Sequence, residues 1–170
     1  TLINSKWYGL KPSGVSNLEI SDVAVDHSVK SNIDLNGVDT ALLDQIVSTN
    51  AVSGVGIAVS DSKNITISNV TTTNNSWGGI GIMAAGTWYP PGGCDNVHVT
   101  GVNAFGEAVK IYMENEANPT LLFTNIVLDG FGYQMRNPIR PSHTWFQISE
   151  ADAIAAALVM PNPALSVITN

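Results

Sequence analysis

Asn64-Ile65-Thr66-Ile67-Ser68-Asn69-Val70 sets two apolar side chains, Ile65 and Ile67, two residues apart, and then takes three steps to the next apolar residue. A β-strand returns to the same face every second residue, so the chain has to bend between Ile67 and Val70 if all three are to point inward. The arrangement recurs. It is found at Asn17-Leu18-Glu19-Ile20-Ser21-Asp22-Val23, Thr40-Ala41-Leu42-Leu43-Asp44-Gln45-Ile46, Asn96-Val97-His98-Val99-Thr100-Gly101-Val102 and Thr120-Leu121-Leu122-Phe123-Thr124-Asn125-Ile126. The third apolar position falls at residues 23, 46, 70, 102 and 126, with spacings of 23, 24, 32 and 24. Just before it stand Asp22, Gln45, Asn69, Gly101 and Asn125. Asp, Asn and Gly most readily accept a left-handed backbone, so a tight corner at one place in each coil is the physical reading.

A second alternation follows in most coils: Ile33 and Leu35, Ile57 and Val59, Ile80 and Ile82, Val109 and Ile111, with Tyr133 and Met135 as candidates in the last. Each coil therefore has at least two sheet faces. One coil alone buries too little apolar surface to be stable, whereas stacking at about 4.8 Å joins the inward clusters into one column. From about Ser16 to Met135 the repeat resembles that of the pectin-lyase-like superfamily, in which coils of this length carry Asn-rich corners. The resemblance implies an all-β fold: a right-handed parallel β-helix, or solenoid, of about five coils. The competing architecture, an antiparallel sandwich, has no reason to repeat one corner chemistry at near-constant spacing, and the two-residue hairpin turns it favours are not evident.

The expected organisation is an N-terminal segment over 1–15, part of an earlier coil, then the β-helix over 16–140 and a cap over 141–170. Ser149-Glu150-Ala151-Asp152 reads as a helix start and Pro161 as its stop, so an α-helix over 149–160 is expected to close the stack, with Trp145 and Phe146 adding cover. The longest coil carries its surplus near Ala84 to Gly93, where Pro90-Pro91 and Gly92-Gly93 read as a loop with Trp88 and Tyr89 at its tip.

Composition narrows the function. Of 170 residues, 44% are hydrophobic and 12% charged, enough apolar material for one domain with a real core. A net charge of −7 with scattered Lys and Arg argues against nucleic acid, and no apolar run has the length of a membrane span. The single Cys94 excludes an internal disulfide and a Cys-based zinc site; no cofactor and no metal is expected. The chain starts at Thr1 without an initiator Met or a signal-like segment, and reads as processed or as a fragment. Few charges, many Asn, Thr and Ser residues, and sequons starting at Asn64, Asn69 and Asn74 suggest an extracellular location, or a cell or virion surface.

Trp77, Trp88, Tyr89 and Tyr112 lie on or beside the longest coil and are the candidate ligand-binding residues, since flat aromatic faces edged by polar groups suit sugar rings. The plainer reading is that they cover the side of the solenoid. Outward residues on a stack form files: Glu19, Leu42, Thr66, His98 and Leu122 on one face, and Asp34, Ala58, Gly81, Lys110 or Tyr112, and Gln134 on the other. Glu107, Lys110, Tyr112 and Glu114 form the candidate catalytic cluster of acid, base and aromatic groups. Asp26-His27 is adjacent in sequence, but strand alternation would send the two side chains to opposite faces.

Two functions remain open. One is a noncatalytic extracellular or surface module, structural, adhesive or polysaccharide-binding. Its expected partners are polysaccharide and, at the open N-terminal end, another chain or further coils. The alternative is a carbohydrate-active enzyme or a piece of one: a polysaccharide lyase, glycoside hydrolase or epimerase.

Overall fold

The computed structural model describes residues 1–84, 93–107, 110–115, 122–129, 144–145 and 165–168, the last two segments by backbone alone. The described residues form an all-β parallel solenoid with three sheets. The first coil runs through β2 (Ser16–Ser21), β3 (Ala24–Asp26) and β4 (Ile33–Asn36); the second through β5 (Asp39–Asp44), β6 (Val47–Thr49) and β7 (Ile57–Ser60); the third through β8 (Lys63–Ser68), β9 (Val70–Thr73) and β10 (Ile80–Ala84). Strands β11 (Gly93–Val99), β12 (Val102–Phe105) and β13 (Ile111–Asn115) continue the pattern, and β14 (Leu122–Asp129) follows. About three turns are thus complete without a break, rather than the five that the repeat suggests.

The first sheet has the order β16-β14-β11-β8-β5-β2, where β16 is Leu165–Ile168. The second has the order β1-β3-β6-β9-β12, where β1 is Leu2–Ile3. The third has the order β15-β13-β10-β7-β4, and β15 (Thr144–Trp145) alone pairs antiparallel, with β13. The expected helix over 149–160 and the loop bearing Trp88 and Tyr89 lie outside the described residues.

Side chains two apart in each strand face a single column. Ile20, Leu43, Ile67 and Val99 are in register down the first sheet, and Ile33, Ile57, Ile80 and Ile111 down the third. Each is buried. The corner before the second sheet has positive φ at Asp22, Gln45, Asn69 and Gly101, as the sequence pattern requires.

The second sheet carries no large apolar alternation. Its file in register is Leu2, Val25, Ser48, Thr72 and Ala104, polar at Ser48 and Thr72 and small at Ala104, so hydropathy gives it little signal.

Two registers differ from the sequence expectation. Ile126 pairs with Val97 and Val127 with His98, so the fifth repeat is Asn125-Ile126-Val127-Leu128, five residues later than Thr120-Leu121-Leu122-Phe123, and Val127 replaces Leu122 in the outward file. Ile111 and Met113, not Val109 and Ile111, pair with Ile80 and Ile82. The second is a slide of two residues, which keeps every side chain on its own face, so alternation cannot exclude it; in the first, Ile126 is inward in either frame.

A left-handed residue also lies in five of the six strands of the first sheet, just before the inward alternation: Asn17, Thr40, Asn64, Asn96 and Asn125. Four are Asn; Thr40, with φ 68°, is β-branched where branching is costly. Thr40→Asn is expected to raise stability by about 1 kcal/mol in urea unfolding, while Thr66→Asn, on the exposed face of a regular strand, gives no gain.

Candidate functional site

Corner polar groups bond from coil to coil. Asp26 Oδ1 accepts from Thr49 Oγ1 at 2.6 Å and from Asn50 Nδ2 at 2.8 Å. Asp44 Oδ1 accepts the same pair of groups one coil on, Ser68 Oγ at 2.6 Å and Asn69 Nδ2 at 2.8 Å. Asn96 Nδ2 donates to Asn64 Oδ1 at 2.8 Å, and Asn64 Nδ2 to Asp39 Oδ1 at 3.0 Å. Two of the three sequon asparagines, Asn64 and Asn69, thus use their amides to tie coils together. These bonds hold the carboxylates of Asp44 and Asp39 below their ordinary range, through Ser68 and Asn69 for the first and Asn64 and Lys63 for the second.

His27 Nδ1 lies 2.8 Å from Asp26 Oδ2, so the pair that strand alternation would separate is joined. The reason is local: His27 has φ 56° and sits on the corner, where alternation stops. A carboxylate only accepts, so Nδ1 is the donor, on a ring whose side chain is 53% exposed. Thr49, then Asn50, then His27 hold Asp26 down from 3.8 to about 2. A depressed carboxyl stabilises the fold above its unfolded value and loses that contribution as pH falls through the folded one. Its side chain is 31% exposed, and screening at that exposure leaves about 1 kcal/mol. Asp26→Asn is therefore expected to cost about 1 kcal/mol at pH 7 and to flatten the fall in stability from about pH 4 to pH 2, measured by urea unfolding across that range.

Glu107 of the candidate catalytic cluster turns toward the interior. Its Oε2 accepts Asn75 N at 3.0 Å and its Oε1 accepts Asn75 Nδ2 at 2.7 Å, while burial pushes its carboxyl up against those bonds. Lys110 is exposed, and its backbone carbonyl accepts Ile80 N at 2.9 Å. Tyr112 stands opposite Gly81 and Glu114 opposite Met83 on β13, which places Tyr112, not Lys110, in the file with Asp34 and Ala58. The side chains of Tyr112 and Glu114, like Trp88 and Tyr89, lie outside the described residues. Trp77 is half-buried and packs on the core. Cys94 is buried among Val59 and Met83 carbonyls, and burial pushes its thiol up to about 12, far from a reactive thiolate.

One cluster has no counterpart in the sequence reading. Trp7, 60% exposed, meets Tyr8 edge-on with ring centroids 5.9 Å apart. Lys11 Nζ lies 3.9 Å from the Tyr8 ring centroid and 2.8 Å from Asp34 Oδ2, and Lys30 Nζ lies 5.3 Å from the Trp7 ring centroid. Lys30 reaches Trp7 from the next coil, 23 positions on, so only the stacking register could have revealed it.

An open groove of about 380 Å³ follows the first corner, lined by Asp22, Gln45 and Asn69 with Val23, Val47 and Thr71. Among the described residues no group of three His, Cys, Asp or Glu residues could hold a metal ion. No helix among them is long and apolar enough to cross a membrane. Neither a family model, nor a curated protein, nor a solved structure matches the chain.

Proposed function

We propose that this chain is a noncatalytic module of the extracellular space or of a cell or virion surface, a rigid scaffold that binds polysaccharide. The observation that carries the reading is the use to which the corner carboxylates are put. Asp26, Asp39 and Asp44 each accept bonds from the following coil, and Glu107 accepts them from the preceding one. Groups spent in this way stiffen a solenoid and are poor general acids or bases, because each proton transfer would break an inter-coil bond. The near-constant turn and the Asn-rich corners support a right-handed, pectin-lyase-like form of the solenoid, since parallel crossovers are right-handed in about 98% of cases. At the N-terminal edge Leu2, Ile3 and Val15 are exposed beside unpaired strand edges, which favours association with another chain there.

A glycan array followed by calorimetry tests the module. Binding without turnover in reducing-end and unsaturated-product assays is the expected result, with loss in Trp88→Ala if the longest coil presents the ligand. Turnover that Glu114→Gln or Lys110→Ala abolishes would overturn it.

The enzyme reading, a polysaccharide lyase, glycoside hydrolase or epimerase, has one observation in its favour: Asp26 holds the exposed His27 imidazole by its Nδ1, as an orienting carboxylate holds a general base. Under that reading His27→Gln removes turnover while leaving the melting temperature within about 2 °C.

A further inference from the structure

We propose that Trp7, Tyr8, Lys11 and Lys30 form a binding site for an anionic saccharide, whose ring stacks on Trp7 and whose carboxylate or sulfate faces Lys30. The inference rests on the polysaccharide-binding reading and locates it on residues distinct from the aromatic loop of the longest coil. Three features build the site. First, the platform is braced in sequence: the buried Asp34 carboxylate holds Lys11 at 2.8 Å, Lys11 lies over Tyr8, and Tyr8 supports Trp7 edge-on. A braced indole loses little freedom on binding, and Trp7, 60% exposed, offers the flat apolar surface that the C–H face of a pyranose covers.

Second, the charge is local and opposite to that of the whole. The chain carries −7 with seven Lys and Arg residues, and two of them, Lys11 and Lys30, meet the aromatic pair here, with Lys6 next to Trp7 in sequence. Lys11 is committed to Asp34, whereas Lys30 makes no ion pair among the described residues and stands over one face of the Trp7 ring. An anion on a stacked sugar meets a cation that has no ion pair to give up. Third, the surface continues along the stack. Lys30 N donates to Trp7 O at 2.9 Å and Ser53 N to Val29 O at 2.9 Å, so Val29 and Val52, 41% and 60% exposed, prolong the apolar strip over the next coils. Successive coils at about 4.8 Å give a chain of sugars repeated footing, which a single small anion would not use.

The test is calorimetric titration of the full chain with an oligouronate, the neutral oligosaccharide of the same linkage, and inorganic polyphosphate, in low and in moderate salt. The oligouronate is expected to bind best and to weaken with salt. Trp7→Ala should reduce its affinity about tenfold, and Lys30→Gln should reduce it several-fold while leaving the neutral sugar unaffected. Both side chains are at the surface, so unchanged melting temperatures show that folding is intact. Equal binding of polyphosphate that ignores Trp7→Ala would overturn the saccharide. Oligouronate binding lost in Trp88→Ala and kept in Trp7→Ala would overturn this site and leave the module reading standing. Absence of binding to any glycan would overturn both.

Discussion

Asn75→Ala is expected to lower the unfolding free energy by about 3 to 5 kcal/mol and the melting temperature by about 10 °C. Asn75 is 2% exposed and joins four coils through one amide. Its Oδ1 accepts Ala51 N at 2.9 Å and Asn32 Nδ2 at 3.2 Å; its Nδ2 donates to Ser48 O at 3.1 Å and Glu107 Oε1 at 2.7 Å. Truncation leaves a buried N–H, a buried carbonyl and a half-buried carboxylate short of partners, and each costs more to leave unmade than its bond contributes when made. Asn75→Asp keeps the shape and the acceptor but sets a second carboxylate against Glu107. Its loss at pH 7 should shrink as the pH falls and the two groups come to share a proton. Urea unfolding of both variants at two pH values measures the effect; a loss below 1 kcal/mol for Asn75→Ala would remove this network from the account of the fold.

Gly54→Ala should be comparably severe, at about 3 kcal/mol or more, for a different reason. A Cβ at residue 54 would stand 2.3 Å from Ser31 N and 2.8 Å from Lys30 C, both backbone atoms of the coil before. Backbone cannot swing aside as a side chain can, so the two coils would have to part where Asn32 N donates to Val55 O at 3.2 Å. Ser53→Ala, one residue away and only half-buried, is the control and should stay within about 0.5 kcal/mol. An unfolding midpoint for Gly54→Ala equal to that of Ser53→Ala would show that the coils are not in contact there.

Where the sequence was legible, a single conformational preference spoke for the structure. Asp22, Gln45, Asn69 and Gly101 mark the first corner because few residue types tolerate its backbone. Ile57-Ala58-Val59 and Ile65-Thr66-Ile67 mark two sheets because their inward residues are apolar and alternate. The third face stayed hidden because Ser48 and Thr72, with Asn32 and Asn75 behind them, fill its inner side with hydrogen-bonding groups in place of hydrocarbon. Register failed where two readings kept the same faces. Thr120-Leu121-Leu122-Phe123 and Asn125-Ile126-Val127-Leu128 both fit the motif, and only the second continues the left-handed file of Asn64 and Asn96.

The candidate sites were less legible because their geometry is made between coils. His27 meets Asp26 through a corner, not a strand, and Lys30 meets Trp7 across a full turn of chain. Glu107 shows the converse: it is acidic and beside a strand, as an outward candidate should be, yet it follows the left-handed Gly106, and its carboxylate turns in to Asn75.

Backbone NOE spectroscopy on uniformly labelled protein tests most directly whether successive turns lie one above another. Leu42 is expected to show inter-strand contacts to both Glu19 and Thr66, which flank it in register in β2 and β8. Contacts running in opposite directions along sequence-adjacent strands, with none linking Leu42 to residues about two dozen positions away, would contradict the parallel stack and every neighbour relation built on it.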